Sequence, residues 1–249
     1  MISIQNISKT FNKGNPNEVK ALSKVNLEVK KKEFVVLIGA NGSGKSTLLN
    51  ALSGYFKVDE GKILIEREDV TQLADYKRSK WIARIFQNPL SGTAPDLSIL
   101  DNFRLASLRT QMKGLRIGVN SRFKQEVKEK IALLGMGLEN KLEQAMGTLS
   151  GGQRQALTLI MAIMDEAKIL LMDEPTAALD PKSGKNLMIK AQEIIHEFGL
   201  TTILVTHDLK DAHQYGNRII QMQEGEIIRD IQEKEKPELE LTDLFHWFA

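Results

Sequence analysis

One run of nine residues has the composition and spacing of a polyphosphate cradle: Gly39-Ala40-Asn41-Gly42-Ser43-Gly44-Lys45-Ser46-Thr47, which fits G-x-x-x-x-G-K-[ST]. Its glycines let backbone N–H groups curl around an anion without Cβ clashes, and a following helix adds its partial positive charge. In this pattern Lys45 reaches the β- and γ-phosphates and the Ser46 hydroxyl ligates Mg²⁺. The flanks suit the motif. Phe34 to Ile38 is a continuous apolar run that reads as a strand buried on both faces, and Leu48 to Leu52 reads as a helix. An ordinary glycine-rich turn would not need Lys-Ser in this register, so the chain is read as binding a nucleoside triphosphate.

Asp173-Glu174 follows Lys168-Ile169-Leu170-Leu171-Met172, a second buried strand, at the end where open α/β sheets bind ligands. Asp173 suits Mg²⁺ through its water shell, and Glu174 suits activation of water against a γ-phosphate. The structural alternative for either acid is a helix-capping carboxylate. Gln87 ends the strand Trp81 to Phe86, where it can touch Mg²⁺ or the attacking water, or serve only as a loop residue before Pro89. His207 follows the strand Thr201 to Val205 and takes the same position as the acids; His196, His213 and His246 read as surface or tail residues. A second glycine-rich segment, Leu149-Ser150-Gly151-Gly152-Gln153, opens an apolar helix with Ser150 as its N-cap. Unpaired N–H groups and the helix dipole make that start another anion site. Two such sites, separated by a helical insertion, need not face each other within one molecule. The pattern asks for a dimer.

The elements that position these residues follow from periodicity. Residues 1–32 read as antiparallel strands, with Ile2, Ile4 and Ile7 and then Val25, Leu27 and Val29 facing a core across the loop Gly14 to Asn17. Lys30-Lys31-Lys32 reads as a solvated turn. Phe11, beside the first loop, reads locally as a core aromatic, with stacking on a nucleobase as the functional alternative. Lys62 to Glu66 is a short strand, and Thr71 is expected to cap a small helix. From about Leu90 to Met146 helical spacing takes over: Phe123, Val127, Ile131 and Leu134 share a face, Ser121 is the expected N-cap, and Gly114, Gly118, Gly135 and Gly137 interrupt the segment. The basic stretch Arg104 to Arg122 within it reads as a solvated face, or a surface for a partner or lipid headgroups. Asp180 caps a helix with Pro181 at its first position, and Leu187, Ala191, Ile194 and Phe198 form its inner stripe up to Gly199. Arg218 to Asp230 reads as a hairpin turning at Glu224-Gly225. The stretch from Glu233 to Glu240 reads as a linker, and Leu244, Phe245, Trp247 and Phe248 as an apolar last helix on the body or a partner contact.

At 249 residues the chain is long enough for a full α/β core. Its formal net charge of +2 is too small to argue for nucleic acid from charge alone, and the lack of cysteine leaves no disulfide framework and fits the cytosol. The N-terminus lacks the charged and apolar regions of a signal peptide. The most apolar window, Ala156 to Met164, is roughly half a membrane span, so a membrane role is expected through a partner.

Together these residues resemble the ATP-binding subunit of ABC transporters, over essentially the whole chain. Gly39 to Thr47 resembles the Walker A motif, and Leu149 to Gln153 the far narrower ABC signature motif. The resemblance makes Phe11 the adenine-stacking aromatic and Gln87 the glutamine that senses Mg²⁺ and the membrane subunit. It makes Asp173 and Glu174 the Walker B aspartate and catalytic glutamate, Asp180 the D-loop aspartate, and His207 the switch histidine on the γ-phosphate. Ala177 stands where many members carry Ser, which bears on one cross-dimer hydrogen bond. The implied fold is an α/β P-loop NTPase of ABC type, a single domain over 1–249. It has a RecA-like core (1–89 and 155–249), an N-terminal antiparallel β subdomain and an inserted α-helical subdomain (about 90–154). The implied activity is ATP hydrolysis with Mg²⁺ by a homodimer that sandwiches ATP between one Walker A loop and the other chain's Ser150–Gln153. Implied partners are integral membrane permease subunits and an extracytoplasmic substrate-binding protein, without nucleic acid. The implied location is the cytoplasmic face of the cell membrane.

Gln87 to Pro95 followed by Leu97-Ser98-Ile99 resembles a group of prokaryotic importers, some linked to tryptophan or other amino acids, so import of a small solute such as an amino acid is the leading expectation. An exporter or cell-division subunit and a soluble ABC motor on a non-membrane complex are the alternatives. The motor class generally carries coiled coils, zinc hooks or two ATPase domains, none of which is visible in this sequence.

Overall fold

A computed structural model describes residues 1–108, 119–164 and 167–248. In chain order the strands and helices begin β1 (Ile2–Phe11), β2 (Val19–Val29), β3 (Phe34–Ile38), α1 (Lys45–Ser53), β4 (Glu60–Ile65), β5 (Glu68–Asp69), α2 (Asp75–Arg78) and β6 (Ile82–Ile85). They continue α3 (Ile99–Ala106), α4 (Ser121–Ala132), α5 (Gly151–Ile163), β7 (Ile169–Asp173), α6 (Pro181–Phe198), β8 (Thr201–Val205), α7 (Leu209–Gln214), β9 (Arg218–Gln223), β10 (Glu226–Ile231) and α8 (Leu241–His246). Two compact units result. The first is Met1–Arg78, Leu171–Glu174 and Gly199–Ala249, and the second is Ser79–Leu170 with Pro175–Phe198.

The first unit holds an antiparallel sheet in the order β2-β1-β4-β5, and a second sheet in which β10, β9, β3, β8 and the end of β7 are successive neighbours. Ile2, Ile4 and Ile7 of β1 and Val25, Leu27 and Val29 of β2 are buried, as their alternation predicts. β3 runs parallel to both β8 and β9. Every residue of β3, β7 and β8 is buried, which is why these strands read as unbroken apolar runs instead of alternating ones. β9 and β10 form the expected hairpin, with both turn residues, Glu224 (φ 48°) and Gly225 (φ 80°), in the left-handed region that a two-residue turn demands.

The C-terminal segment is anchored in this unit. Leu244 is buried, Gln221 Nε2 donates to the Trp247 carbonyl at 3.2 Å, and the Arg229 guanidinium lies 5.1 Å from the Trp247 ring. Phe245 and Phe248 point outward. Thr71 does not cap a helix. Its hydroxyl accepts from the Ile63 N–H and donates to Asp69 Oδ1, closing the turn after β5, and α2 starts later, at Asp75.

In the second unit, the Lys168 and Ile169 N–H groups both donate to the Trp81 carbonyl, beside the start of β6. The cap of α4 is Asn120, not Ser121: the extended Asn120 side chain accepts from the Phe123 N–H at 2.9 Å, which makes Ser121 the first helical residue. Val127, Ile131 and Leu134 are buried, while Phe123 is half-buried with the Arg104 guanidinium 5.8 Å from its ring. Gly114, Gly118 and most of the basic stretch lie outside the described residues. No helix among the described residues is long and apolar enough to cross a membrane.

Arg218, at the start of β9, is 5% exposed and bridges two carboxylates: Nη2 meets Asp230 Oδ2 at 2.6 Å and Nη1 meets Glu33 Oε2 at 3.2 Å, with a further bond to the Glu28 carbonyl. Glu33 is itself 8% exposed, so removal of the guanidinium leaves a buried carboxylate without its cation. Arg218→Met is expected to cost about 3 kcal/mol of stability, read from urea unfolding midpoints. A cost below about 0.5 kcal/mol would show that the pair contributes no more than an exposed one.

Candidate functional site

In the first unit the phosphate loop leaves the carboxyl end of β3 and enters α1 at Gly44. Gly39 (φ 153°) and Gly44 (φ 101°) are required on two counts. Both adopt backbone conformations that other residues resist, and a Cβ on Gly39 would stand 2.3 Å from the Met222 carbonyl oxygen, one on Gly44 2.6 Å from that of Ala21. Gly42 (φ 80°) instead faces open space. Gly44 caps α1 without a side chain, so the first N–H groups of that helix keep their donor capacity for an anion. The Ser43 hydroxyl is buried and has no partner among the described residues. Open glycine backbone, an orphaned hydroxyl and a bare helix start fit a polyphosphate.

Lys45 is 5% exposed, and its ammonium donates to the Gly39 and Ala40 carbonyls at 2.8 and 2.9 Å. Burial lowers its pKa, with Glu174 and Asp173 pulling it back up. Ser46 Oγ donates to Asp173 Oδ1 at 3.1 Å across the ends of α1 and β7. A hydroxyl beside a carboxylate is the donor chemistry of a hard divalent cation. No group of three or more His, Asp or Glu among the described residues could hold a metal unaided, so a cation here would draw further oxygens from the polyphosphate and water.

Glu174 follows directly, with its N–H on the Val205 carbonyl at 3.0 Å and its backbone at φ 45°. That left-handed turn is uncommon for Glu, and strain of this kind tends to collect where a side chain must be aimed. Glu174 Oε2 lies 3.3 Å from His207 Nδ1, with the carboxylate largely covered and the imidazole more than half exposed. The neighbouring Asp208 steadies His207: its side chain accepts from Lys210 N–H and caps α7, while its own N–H reaches Thr206 Oγ1. Thus Lys45, Ser46, Asp173, Glu174 and His207 are brought together at the carboxyl ends of β3, β7 and β8.

Phe11 ends β1, half-buried, with its ring edge-on to Phe56 at 5.3 Å and Lys9 Nζ 5.5 Å from each ring. Phe56 was not singled out from the sequence; its only signal is an aromatic just past the glycine that ends α1. A cavity of about 450 Å³ opens beside Ala40–Ser43 and is also lined by Met222, Trp247 and Phe248.

The remaining candidates belong to the second unit. Gln87 is exposed after β6, and the neighbouring Phe86 carbonyl accepts from Gln155 Nε2 at 2.6 Å. Ser150 caps α5 as expected, and Gln153 completes a capping box: Ser150 Oγ accepts from Gln153 N–H, and Gln153 Oε1 accepts from Ser150 N–H at 3.1 Å. The glycines between them allow close approach, since a Cβ on Gly151 would meet Leu179 at 3.1 Å and one on Gly152 would meet Ser183 at 3.1 Å. Asp180 accepts from Ser183 N–H at 3.0 Å at the start of α6, and hydrogen bonds from the Ser183 side chain first and its backbone N–H second hold its carboxyl below the usual range.

A family model described as ABC transporter matches residues 22–177. A tyrosine transport ATP-binding protein of Clostridioides difficile (strain R20291) is 37% identical over 250 residues, covering 100% of this chain and 98% of its own length. A phosphonates import ATP-binding protein of Bacillus thuringiensis subsp. konkukian (strain 97-27) is 37% identical over 243 residues, 92% of this chain and 88% of its own. Among solved structures, the dimeric ATP-binding cassette MJ0796 bound to ADP and Pi superposes with a TM-score of 0.80 at 31% identity, covering 94% of this chain and 99% of that one.

Asp211, in α7 and four residues after His207, has its carboxyl pushed up to about 6, first by burial and then by Asp208, with His207 opposing. Because the folded chain holds this proton more tightly than the unfolded one, the carboxyl favours folding only at acid pH and opposes it as pH rises through about 6. Asp211→Asn is therefore expected to raise stability at pH 8 by about 1 kcal/mol, allowing for solvent screening, and by much less at pH 4.5. Equal gains at both values in urea unfolding would refute the assignment.

Proposed function

The chain belongs to the ABC transporter family, and on that premise we propose that it is the ATP-hydrolysing subunit of a membrane importer, two copies of which close on ATP. The observation that carries this reading is the convergence of Lys45, Ser46, Asp173, Glu174 and His207 on one open glycine loop. The loop N–H groups and Lys45 bind the β- and γ-phosphates. Ser46 and Asp173 would hold Mg²⁺, and Gln87 is the proposed further ligand and sensor of the ion. Bound there, Mg²⁺ neutralises charge that builds between the β- and γ-phosphates. Glu174 Oε2 accepts a proton from water as the water oxygen bonds to the γ-phosphorus and the β–γ bridging P–O bond breaks, leaving ADP and phosphate. His207 orients Glu174 through Nδ1 and faces the γ-phosphate. Phe11 stacks on adenine.

The glycine-rich start of α5, Ser150 to Gln153, lies in a different compact unit from the phosphate loop, and on this reading it serves the nucleotide of the second copy. Support for that arrangement is the dimeric state of the cassette MJ0796 with ADP and Pi. The helical segment of about 90–154 is the inserted subdomain. A cavity of about 400 Å³ where that segment meets β6 and α5, lined by Arg84, Thr93, Ala94, Asn102, Leu105 and Met161, is the proposed seat of a permease segment. Asn102 shapes that cavity by exchanging hydrogen bonds with the Ala94 backbone at 2.7 and 2.9 Å. An amino acid is the proposed cargo, supported by the full-length likeness to the tyrosine transport protein, with an extracytoplasmic binding protein delivering it. The subunit then works at the cytoplasmic face of the membrane.

Glu174→Gln tests both levels. It is expected to bind Mg-ATP and dimerise while turnover falls at least about a hundredfold, and near-normal turnover would remove Glu174 from the role of base. Tagged Glu174→Gln, captured with ATP from detergent-solubilised membranes, is expected to bring down a polytopic membrane subunit, identified by mass spectrometry. Recovery of soluble partners alone would overturn the transporter reading.

A further inference from the structure

Arg78 is the largest fully buried side chain among the described residues, 1% exposed, and none of the hydrogen bonds its guanidinium makes goes to a carboxylate. Backbone carbonyls take its donors instead. Nη1 donates to Ala51 O at 2.7 Å and Leu52 O at 2.9 Å, Nη2 to Thr71 O at 3.0 Å, and Nε to Leu73 O at 3.0 Å. Burial lowers its pKa and Asp69 opposes that shift, yet an arginine stays charged at any physiological pH. A charge taken so far out of water calls for a compensating role.

The first two acceptors explain it. Ala51 and Leu52 are in the last turn of α1, where Ala51 O also accepts a long 3.3 Å bond from the C-cap Gly54 N–H and the final carbonyls carry the negative end of the dipole. The opposite end of the same helix is the phosphate loop, with Lys45 and Ser46 in its first turn. α1 has nine residues, a length at which an isolated helix is marginal in water, so freeing its last turn unravels a large fraction of it. Room for the guanidinium comes from Gly54, φ 82°, where a Cβ would stand 2.8 Å from Arg78 Nε. Thr71 and Leu73 carry the other two acceptors, so the loop after β5 is wound around the same group.

We propose that Arg78 is a positioning residue for the nucleotide site: its buried guanidinium clamps the carboxyl end of α1 and thereby sets the phosphate-binding end, including the Lys45 ammonium and the Ser46 hydroxyl. The inference rests on the reading of Gly39–Thr47 as the ATP site. Its signature is a split between affinity and turnover, because no atom of Arg78 reaches the reacting groups.

The experiment measures Mg-ATP dissociation constants, KM, kcat and thermal stability of the full chain and of Arg78→Gln, Arg78→Lys and Gly54→Ala. Arg78→Gln is expected to weaken Mg-ATP binding and raise KM about tenfold, with kcat at saturating ATP within about twofold. Lysine keeps the charge but lacks the planar fork that spans these carbonyls, so Arg78→Lys is expected to weaken binding by about threefold. Gly54→Ala crowds the guanidinium without removing it and also strains the left-handed C-cap of α1, so it disturbs the same end of the helix; it is expected to weaken binding in the same direction and serves where Arg78→Gln does not fold. Folded variants that melt earlier yet bind Mg-ATP within about twofold of the parent would overturn the proposal and leave Arg78 as a stabilising anchor alone. A parent that binds no Mg-ATP would instead refute the reading of the loop.

Discussion

The rest of the structure depends on one steric constraint: the phosphate loop has no room for side chains at its two ends. The Met222 carbonyl of β9 presses on Gly39 and the Ala21 carbonyl of β2 presses on Gly44, each at a distance no Cβ could occupy. The loop is wedged between two strands of the first unit, so its N–H groups are fixed in direction before any anion arrives. Preorganisation of this kind is what makes backbone donors effective toward phosphate, since no ordering cost falls on the binding step. The apolar burial of β3, β8 and β9 supplies the rigidity behind it.

Buried cations recur around this constraint, and each is paired differently. Arg218 answers two carboxylates and ties β9 to the turn before β3. Arg78 answers carbonyls at the end of α1. Lys236 donates to the Tyr215 and Gly216 carbonyls, fastening the C-terminal segment behind α7, and burial brings its pKa down to about 8. Lys45 is the exception, because its two carbonyl acceptors belong to the loop it serves and two carboxylates stand nearby. The first three cations hold elements in place; Lys45 is poised at the opening where phosphate charge would arrive.

A similar self-sufficiency marks the second glycine-rich segment. Ser150 and Gln153 satisfy each other's backbone N–H groups, which orders the start of α5 without any ligand, while Gly151 and Gly152 let Leu179 and Ser183 come close. Both glycine segments therefore owe their residue types to packing as much as to an anion. At Gly39 and Gly151 alike, the missing Cβ is required by a neighbour far away in sequence.

Local pattern determined much of this protein by itself. Strand, glycine loop and helix in one register define the phosphate cradle. An unbroken apolar run followed by Asp173-Glu174 defines a strand with two acids at its end, and Ser150 before an apolar helix defines a cap. These features are contained within a few consecutive residues, so spacing alone carries them. Tertiary structure decided whatever depends on which distant segments meet. It paired Glu174 with His207, turned the Glu174 backbone left-handed, set Phe56 against Phe11 and delivered Arg78 to the end of α1. It also drew Thr71 to the Ile63 N–H, so that Thr71 closes a turn instead of starting a helix, whereas the choice of Asn120 over Ser121 as the cap of α4 is a local one made by the bond to Phe123. The reason is physical. A side chain's local propensity is worth tenths of a kilocalorie, whereas its burial and hydrogen bonds with remote partners are worth several times more, and those partners are chosen only when the chain closes on itself.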